Sequence, residues 1–384
     1  MNKTIIIITH VTFDNSPYCS YVHSHAKALA SLGYHVIVLA IVKWIPFLSH
    51  FQKYKQRFMK NLKQKKTQID NVDIIYKKTF SISNLFYNSR INFNGIFAFN
   101  ALKRIVGNIV KNENVILIDA HTFKVEGYVA KKLKEKFKIT TFVTMHGTSF
   151  IKNLKSENGK KQIKQVCNTV DKVICVSDKL QKYLHDLEIY NTNVIYNGLE
   201  QFEVKERAKK KHSIITVASL IPRKNIDLII KAIGKLKDVY QDITLTIVGE
   251  GKEKINLEKL IEEFDVEKDV KFLGQISNEK VQEYMSESYI FLLPSINEGF
   301  GIVYPEAMKN GCITIGTKNE GIDGFIKNGE NGFLIDPSVD SIIEIINKIF
   351  NEEYDVNAIK EKGKNDVKGL TWNNNASNYI KNIN

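Results

Sequence analysis

Glu298 and Glu306, two carboxylates with seven residues between them, frame the stretch of this sequence that is richest in chemistry. It reads Pro294-Ser295-Ile296-Asn297-Glu298-Gly299-Phe300-Gly301-Ile302-Val303-Tyr304-Pro305-Glu306-Ala307. An apolar, strand-like run precedes it and a helix-like run follows. Gly299 and Gly301 lack a Cβ and let the backbone approach a ligand closely. A helix beginning behind them offers free N–H groups and the positive end of its dipole, which suit a phosphate. Glu298 would sit at the loop rim. Glu306, in the helix's opening turns, could accept hydrogen bonds from ribose hydroxyls. Carboxylate, sugar and helix-bound phosphate together describe a nucleotide-sugar site. The plainer alternative is a tight turn shaped by two glycines, with both carboxylates solvated.

Other chemistries lack their signatures. The first apolar run leads into Thr9-His10-Val11-Thr12-Phe13-Asp14, with none of the glycines of a dinucleotide fingerprint, and no GxxxxGK[ST] loop occurs. The four cysteines, Cys19, Cys167, Cys175 and Cys312, form no CxxC pair. Neither a disulfide scaffold nor a structural zinc site is therefore expected. His10, His23, His25 and His121 make the first half imidazole-rich. A metal site is the sharper reading of them; His121, in Asp119-Ala120-His121, is read instead as shaping an acceptor cleft. His146 ends another apolar run, where open α/β sheets bind ligands. A hydrogen-bonded structural role is its alternative.

The elements that must position these residues alternate along the chain. The 384 residues suit two or three domains. Strands are expected at 3–9 (KTIIIIT), 34–40, 115–119, 140–145, 172–176 and 194–196, with a helix over 18–32 stopped by Gly33. A second series follows at 214–220, 244–249, 270–274, 289–294 and 313–317. Continuous β-branched runs separated by helices imply parallel sheets covered on both faces. The polar stretch 200–212 reads as an interdomain linker. Two doubly wound α/β domains in tandem is the expected architecture.

Charge is unevenly spread. Residues 1–200 carry a net +17 and residues 201–384 a net −4. The basic half is expected to meet something anionic, or else reflects compositional drift. Within 44–66, Phe47, Phe51, Tyr54, Phe58 and Leu62 recur every three to four positions among seven Lys and Arg. That pattern fits a basic amphipathic helix lying in a membrane interface, or equally a core-facing helix with a solvated lysine face. The longest apolar stretch, 36–42, is far short of the ~20 residues of a membrane span. No segment reads as a signal peptide, so a cytoplasmic setting is expected.

The segment EGFGIVYPEA resembles the Glu-x7-Glu motif of retaining glycosyltransferases of family 4, which have the GT-B fold of two Rossmann-like domains facing across a cleft. Val217-Ala218-Ser219-Leu220-Ile221-Pro222-Arg223-Lys224-Asn225 is similar to the family's first donor-domain loop. Residues 284–295, 316–336, 144–148 (TMHGT), 173–177 and 193–198 (NVIYNG) are also similar, so the likeness covers most of 115–350. It implies an acceptor-binding domain over 1–200, a nucleotide-sugar domain over 201–365, and a C-terminal segment, 366–384, whose helix crosses back to the first domain. It implies that Glu298 faces the donor sugar, that Glu306 holds the ribose, and that Lys224 neutralises the diphosphate. The backbone at Gly299, Phe300, Gly301, Ile302 and Val303 would approach the distal phosphate. His146 would line the sugar from the opposite side. The reaction implied is retaining, hexosyl-type and metal-independent, with no cofactor and with the sugar nucleotide, UDP-sugar favoured, as substrate.

Departures stand beside these likenesses. Ser16-Pro17 replaces a common Gly-Gly pair in a loop that touches phosphate or acceptor. Ser219 replaces a common Arg, whose charge Arg223 could restore. The Gly-rich loop, Asn319-Glu320-Gly321-Ile322-Asp323, carries an extra acid. The acceptor is expected to be a glycan or lipid-linked molecule in surface polysaccharide or glycolipid synthesis. The protein is expected to be peripheral on the inner face of the cell membrane, held to its anionic surface through the basic domain. Two rivals remain open: a nucleotide-sugar epimerase on the same fold, and a non-catalytic nucleic-acid-binding protein. The latter lacks any base-reading signature, so no nucleic acid is expected.

Overall fold

The computed structural model of the chain describes residues 3–10, 20–44, 66–81, 91–204 and 207–383. They form two compact units, Met1–Glu200 with Thr371–Asn384, and Gln201–Leu370.

The first unit is built on eight strands: β1 (Lys3–Thr9), β2 (His35–Trp44), β3 (Lys66–Ile69), β4 (Val72–Phe80), β5 (Asn114–His121), β6 (Thr141–Met145), β7 (Lys172–Cys175) and β8 (Thr192–Val194). Their order across the sheet is β3-β4-β2-β1-β5-β6-β7-β8. Every pairing is parallel except β3 with β4. β1 is central, and Ile5, Ile6, Ile7 and Ile8 are all fully buried, as a strand covered on both faces requires. The strands succeed one another outward from β1 through β2 to β4, then restart at β5. The winding therefore reverses between β1 and β5. Helix Trp372–Ile380 completes this unit, and its Ala376 and Tyr379 pack in one core with Ile5, Val22 and Val38. Gly198 lets that helix approach closely, because a Cβ there would lie 2.4 Å from the Trp372 nitrogen.

The second unit has six parallel strands: β9 (Lys210–Val217), β10 (Thr244–Val248), β11 (Val270–Gly274), β12 (Ser288–Leu292), β13 (Ile313–Thr317) and β14 (Phe333–Ile335). Their order is β11-β10-β9-β12-β13-β14, so here the winding reverses between β9 and β12. Ile214, Leu245, Ile290 and Ile313 fill the core against helices Ile226–Leu236 and Val339–Phe350. Two Rossmann-like α/β units with parallel sheets are what the alternating pattern predicts.

Several local expectations change. Of the stretch 44–66 read as an amphipathic helix, only its two ends are described: Trp44 ends β2 and Lys66 opens β3. Residues 45–65 lie outside the described residues. β3 and β4 are joined at Asp70 and Asn71, both with φ near +50 to +62, the geometry of a primed hairpin turn. The stretch 200–212 is not all linker, because Lys210, Lys211 and His212 already belong to β9. The strand expected at 194–196 is Thr192–Val194, and β3, β4 and β14 are additions.

Candidate functional site

Open parallel sheets bind ligands beyond the carboxyl ends of their strands, where the winding reverses. In the second unit that point lies beyond β9 and β12. After β9 the chain runs into a short 3-10 turn, Pro222–Lys224, and Asn225 takes a left-handed φ of +51°. The Asn225 amide donates to the Pro294 carbonyl at 2.8 Å, and the Ile296 N–H donates to the Arg223 carbonyl at 2.8 Å. These bonds join the loop after β9 to the loop after β12 and fix Arg223, Lys224 and Glu298 side by side.

Glu298 is the hub. Its Oε2 accepts from the Lys224 ammonium, from Arg223 at 2.9 Å and from the Ser295 hydroxyl at 2.9 Å. Burial alone would raise the Glu298 carboxyl. The charge and hydrogen bond of Lys224, with help from Arg223 and Ser295, bring it below the ordinary value. Burial lowers Lys224, while Glu298 opposes that shift. The Glu298 N–H donates to Glu320 Oε2 at 3.0 Å, which ties in the loop after β13. A Cβ on Gly321 would lie 2.3 Å from the Gly299 carbonyl oxygen, so only glycine permits this closure. Gly301 takes φ +82° and lies against the Tyr304 ring, whose hydroxyl donates to the Leu293 carbonyl at 2.8 Å.

Gly299, Phe300, Gly301 and Ile302 form the loop that leads into helix Val303–Lys309, and half-buried Glu306 lies on that helix. The structure thus brings Arg223, Lys224 and Glu298 into one ion cluster. Ser295 and Glu320 bond to Glu298 and Asn225 braces the loops beside it; of these, sequence drew attention only to the loop of Glu320, through its extra acid. For Ser295 and Asn225 the signal was position alone, each within three residues of a charged residue already noted.

In the first unit the corresponding point lies beyond β1 and β5. Asp119 and His121, two apart, share one face of β5, and His146 follows β6. His121 Nε2 is 2.8 Å from Asp119 Oδ2, and His121 Nδ1 is 2.9 Å from His146 Nε2. Asp119 Oδ1 accepts from the Thr144 hydroxyl at 3.1 Å and from the Tyr379 hydroxyl at 3.2 Å. His25 Nδ1 meets Asn375 Oδ1 at 2.7 Å, and its Nε2 is 3.9 Å from Asp119 Oδ2. Burial first, then His121, pushes His25 down to about 4, and burial with three neighbouring imidazoles lowers His146 too. By donor type, His25, Asp119 and His121 are a possible cation set, with ligand atoms within 4.8 Å of one another.

His10 and His23 belong to other networks. His10 Nδ1 pairs with buried Glu126 Oε1 at 2.7 Å, and Thr122 donates to Glu126 Oε2 at 2.6 Å. His23 pairs with Asp70 at 3.0 Å. Thr122 holds a φ of +85°, unusual for a β-branched residue, and Glu126 sits on the π-turn Phe123–Gly127 after β5. Ser16 and Pro17 lie outside the described residues.

Comparison with known proteins agrees with this geometry. The family described as glycosyltransferase family 4 matches residues 20–201, and that described as glycosyl transferases group 1 matches residues 199–366. An uncharacterized glycosyltransferase of Methanocaldococcus jannaschii is 31% identical over 73% of this chain and 78% of its own length. The phosphatidylinositol N-acetylglucosaminyltransferase GPI3 subunit of Saccharomyces cerevisiae is 26% identical over 64% of this chain, which spans only 58% of that subunit. Among solved structures, HepE of Anabaena in complex with UDP-glucose superposes with a TM-score of 0.70 at 16% identity, covering 99% of each chain. Its two halves matched in chain order, and nearly a third of its aligned residues shared with an archaeal relative, this protein belongs to the glycosyltransferases of the family 4 type, which have the GT-B fold.

Proposed function

We propose that the protein transfers a sugar from a nucleoside-diphosphate sugar, UDP-sugar favoured, to an acceptor hydroxyl with retention of anomeric configuration. The second unit takes the donor and the first takes the acceptor. The observation that carries this reading is the Arg223–Lys224–Glu298 cluster at the reversal point of the second sheet. Two cations fixed by a carboxylate suit a leaving diphosphate, whose developing charge must be stabilised. Glu298 would lie beside the sugar, Glu306 would hold the ribose, and the loop Gly299–Gly301 with Ile302 and Val303 would approach the phosphates. HepE's bound UDP-glucose and the N-acetylglucosaminyl named for the yeast relative support testing UDP-hexoses and UDP-N-acetylhexosamines first. No metal is assigned a part in catalysis.

The basic first unit and the phosphatidylinositol in the name of the yeast relative support a lipid-linked acceptor reached from an anionic membrane surface, for surface polysaccharide or glycolipid synthesis. Among the described residues, no helix is long and apolar enough to cross a membrane. The test is a panel of sugar nucleotides, with calorimetric binding first and then release of nucleoside diphosphate with and without acceptor glycans or glycolipids. Saturable binding of one donor and acceptor-dependent turnover with an α-configured product are expected for an α-linked donor. Donor consumption that ignores acceptor and yields an epimer would replace this reading with the epimerase.

A further inference from the structure

We propose that His10 is the base that takes the proton of an acceptor hydroxyl bound to the first unit, and that Glu126 is the positioning residue that aims it. The inference rests on the reading that this unit takes an acceptor with a reacting hydroxyl. It does not rest on retention, because the hydroxyl loses its proton on either stereochemical course.

The pair stands where the first sheet offers a site. His10 follows β1 and Glu126 follows β5, the two strands between which the winding reverses, and both lie at the carboxyl edge of the sheet. They are 116 residues apart in sequence, and His10 Nδ1 meets Glu126 Oε1 at 2.7 Å. The other oxygen, Oε2, accepts from the Thr122 hydroxyl at 2.6 Å. Burial opposes the charge of Glu126, yet His10, Thr122 and Lys43 bring its carboxyl down to about 2. An ionised carboxylate only accepts, so His10 Nδ1 carries a proton. In the neutral imidazole the lone pair then sits on Nε2. The Glu126 side chain is 3% exposed and that of His10 39%, so the carboxylate is inside and the imidazole reaches out from it. Among the described residues nothing bonds Nε2.

The backbone is bent to hold this arrangement. Thr122 is β-branched yet takes a φ of +85°, and Phe123–Gly127 makes a π-turn before helix Tyr128–Phe137 begins. Outliers of both kinds persist only where the surroundings impose them, and they gather at functional sites. Phe123 packs on Phe150 with ring centroids 6.4 Å apart, and the Asn92 amide donates to the Lys124 carbonyl, so the turn is clamped from two sides. For stability alone an apolar side chain would serve better at position 126, because burying a charge is costly even when it is paired.

The step balances without a further reagent. The acceptor oxygen bonds to the anomeric carbon. The bond from that carbon to the diphosphate oxygen breaks, and its electron pair leaves on the nucleoside diphosphate. The hydroxyl proton moves to Nε2, and the imidazolium, stabilised by Glu126, returns it to water.

The test uses the full chain, with UDP release from UDP-glucose and from UDP-N-acetylglucosamine measured with octyl glucoside as acceptor and with water alone. His10→Asn keeps an N–H where Nδ1 stood, so Glu126 keeps its donor, but it has no Nε2. Its affinity for UDP in calorimetry should be unchanged, and its kcat should fall about 100-fold or more, the usual worth of a positioned base. His10→Ala should lose as much and regain turnover in proportion to added imidazole, which a structural role would not produce. The amide of Glu126→Gln both donates and accepts. Two-bond proton–nitrogen NMR with ring-15N histidine should therefore show His10 as a mixture of tautomers in that variant, where the parent shows Nδ1–H alone at pH 8.5, and kcat should fall with little change in KM. Parent-like kcat in His10→Asn, a loss in both His10 variants that imidazole does not restore, UDP binding that weakens in step with kcat, or a parent His10 protonated on Nε2 at pH 8.5 would each overturn the proposal. If the parent releases UDP under neither condition, transfer to a hydroxyl fails first, and the assignment of His10 falls with it.

Discussion

Lys224 and Glu298 are 74 residues apart in sequence, yet the lysine's ammonium rests on one oxygen of that carboxylate. Both are largely buried, with side chains 10% and 15% exposed. A buried cation of this kind is costly unless matched. The carboxylate therefore opposes the loss of charge that burial favours and holds Lys224 in place, where under the proposed function a diphosphate would take over part of the pairing.

Replacing Lys224 by Ala should weaken donor binding and turnover together. Loss of a charge-assisted contact to phosphate in a desolvated site costs about 2 kcal/mol or more, roughly 30-fold in affinity. Calorimetric titration with UDP and UDP-sugar reads this directly. Equal affinity in parent and variant would remove Lys224 from the donor site.

The two carboxylates should separate kinetically. Glu306→Ala should mainly raise the donor dissociation constant, because ribose is held alike in ground and transition states. Glu298→Gln should mainly lower kcat, since the proposed function puts Glu298 beside the reacting carbon. Steady-state kinetics with direct binding measurements distinguish the two, and a pure binding loss in both variants would refute the division of roles.

Acid should destabilise the first unit in two stages. His25 is lowered from 6.5 to about 4, so below pH 6.5 the unfolded chain takes up a proton that the folded chain refuses. Its share of stability is present above the unfolded value and lost as pH falls toward 4. Glu126 is lowered from 4.5 to about 2; burial opposes the shift, and His10, Thr122 and Lys43 outweigh it. Its contribution is present above 4.5 and lost as pH falls toward 2. Each shift corresponds to about 3 kcal/mol. Urea denaturation across pH should show the decline, and Glu126→Gln should flatten its lower part while lowering stability at neutral pH. An unchanged profile in Glu126→Gln would dismiss the His10–Glu126 pair as its source.

Vesicle sedimentation tests the membrane proposal. Binding should favour anionic over neutral vesicles and fall with salt, because each Lys or Arg near such a surface contributes about 1 kcal/mol that salt screens. Changing Lys60, Lys63, Lys65 and Lys66 to Glu should weaken it further. Indifference to anionic vesicles at low salt would return the +17 of residues 1–200 to compositional drift.

What could be read from the sequence follows the range of the interactions involved. The run Ile5–Ile8 announces a central strand because burial on both faces leaves no polar alternation. Lys66–Ile69, an edge strand of mixed polarity, gives no such signal, and the helical spacing of Phe47, Phe51, Tyr54, Phe58 and Leu62 before it invites a helix to be read through to Lys66. Glu298 and Lys224 stand out through the resemblance of their loops. Glu320's link to the Glu298 backbone does not, because only the closure of the loop beyond β13 onto that beyond β12 brings the two together, whereas Ser295 reaches Glu298 across three residues of one loop. Tyr379 was least legible: its hydroxyl meets Asp119 across 260 residues, a pairing no local pattern encodes.

That last contact orders events during biosynthesis. Asp119 and Thr144 leave the ribosome long before Tyr379, and the whole of Gln201–Leu370 is made in between. At about 5–20 residues per second, the interval is on the order of ten seconds or more. Through it the β5–β6 end of the first sheet must wait with a buried carboxylate short of one hydroxyl and a core missing Ala376 and Tyr379. The second unit can meanwhile fold on its own local contacts. The part of the chain synthesised first is thus the part finished last, and a nascent chain stalled before residue 371 would offer chaperones and proteases an open first unit beside a completed second one.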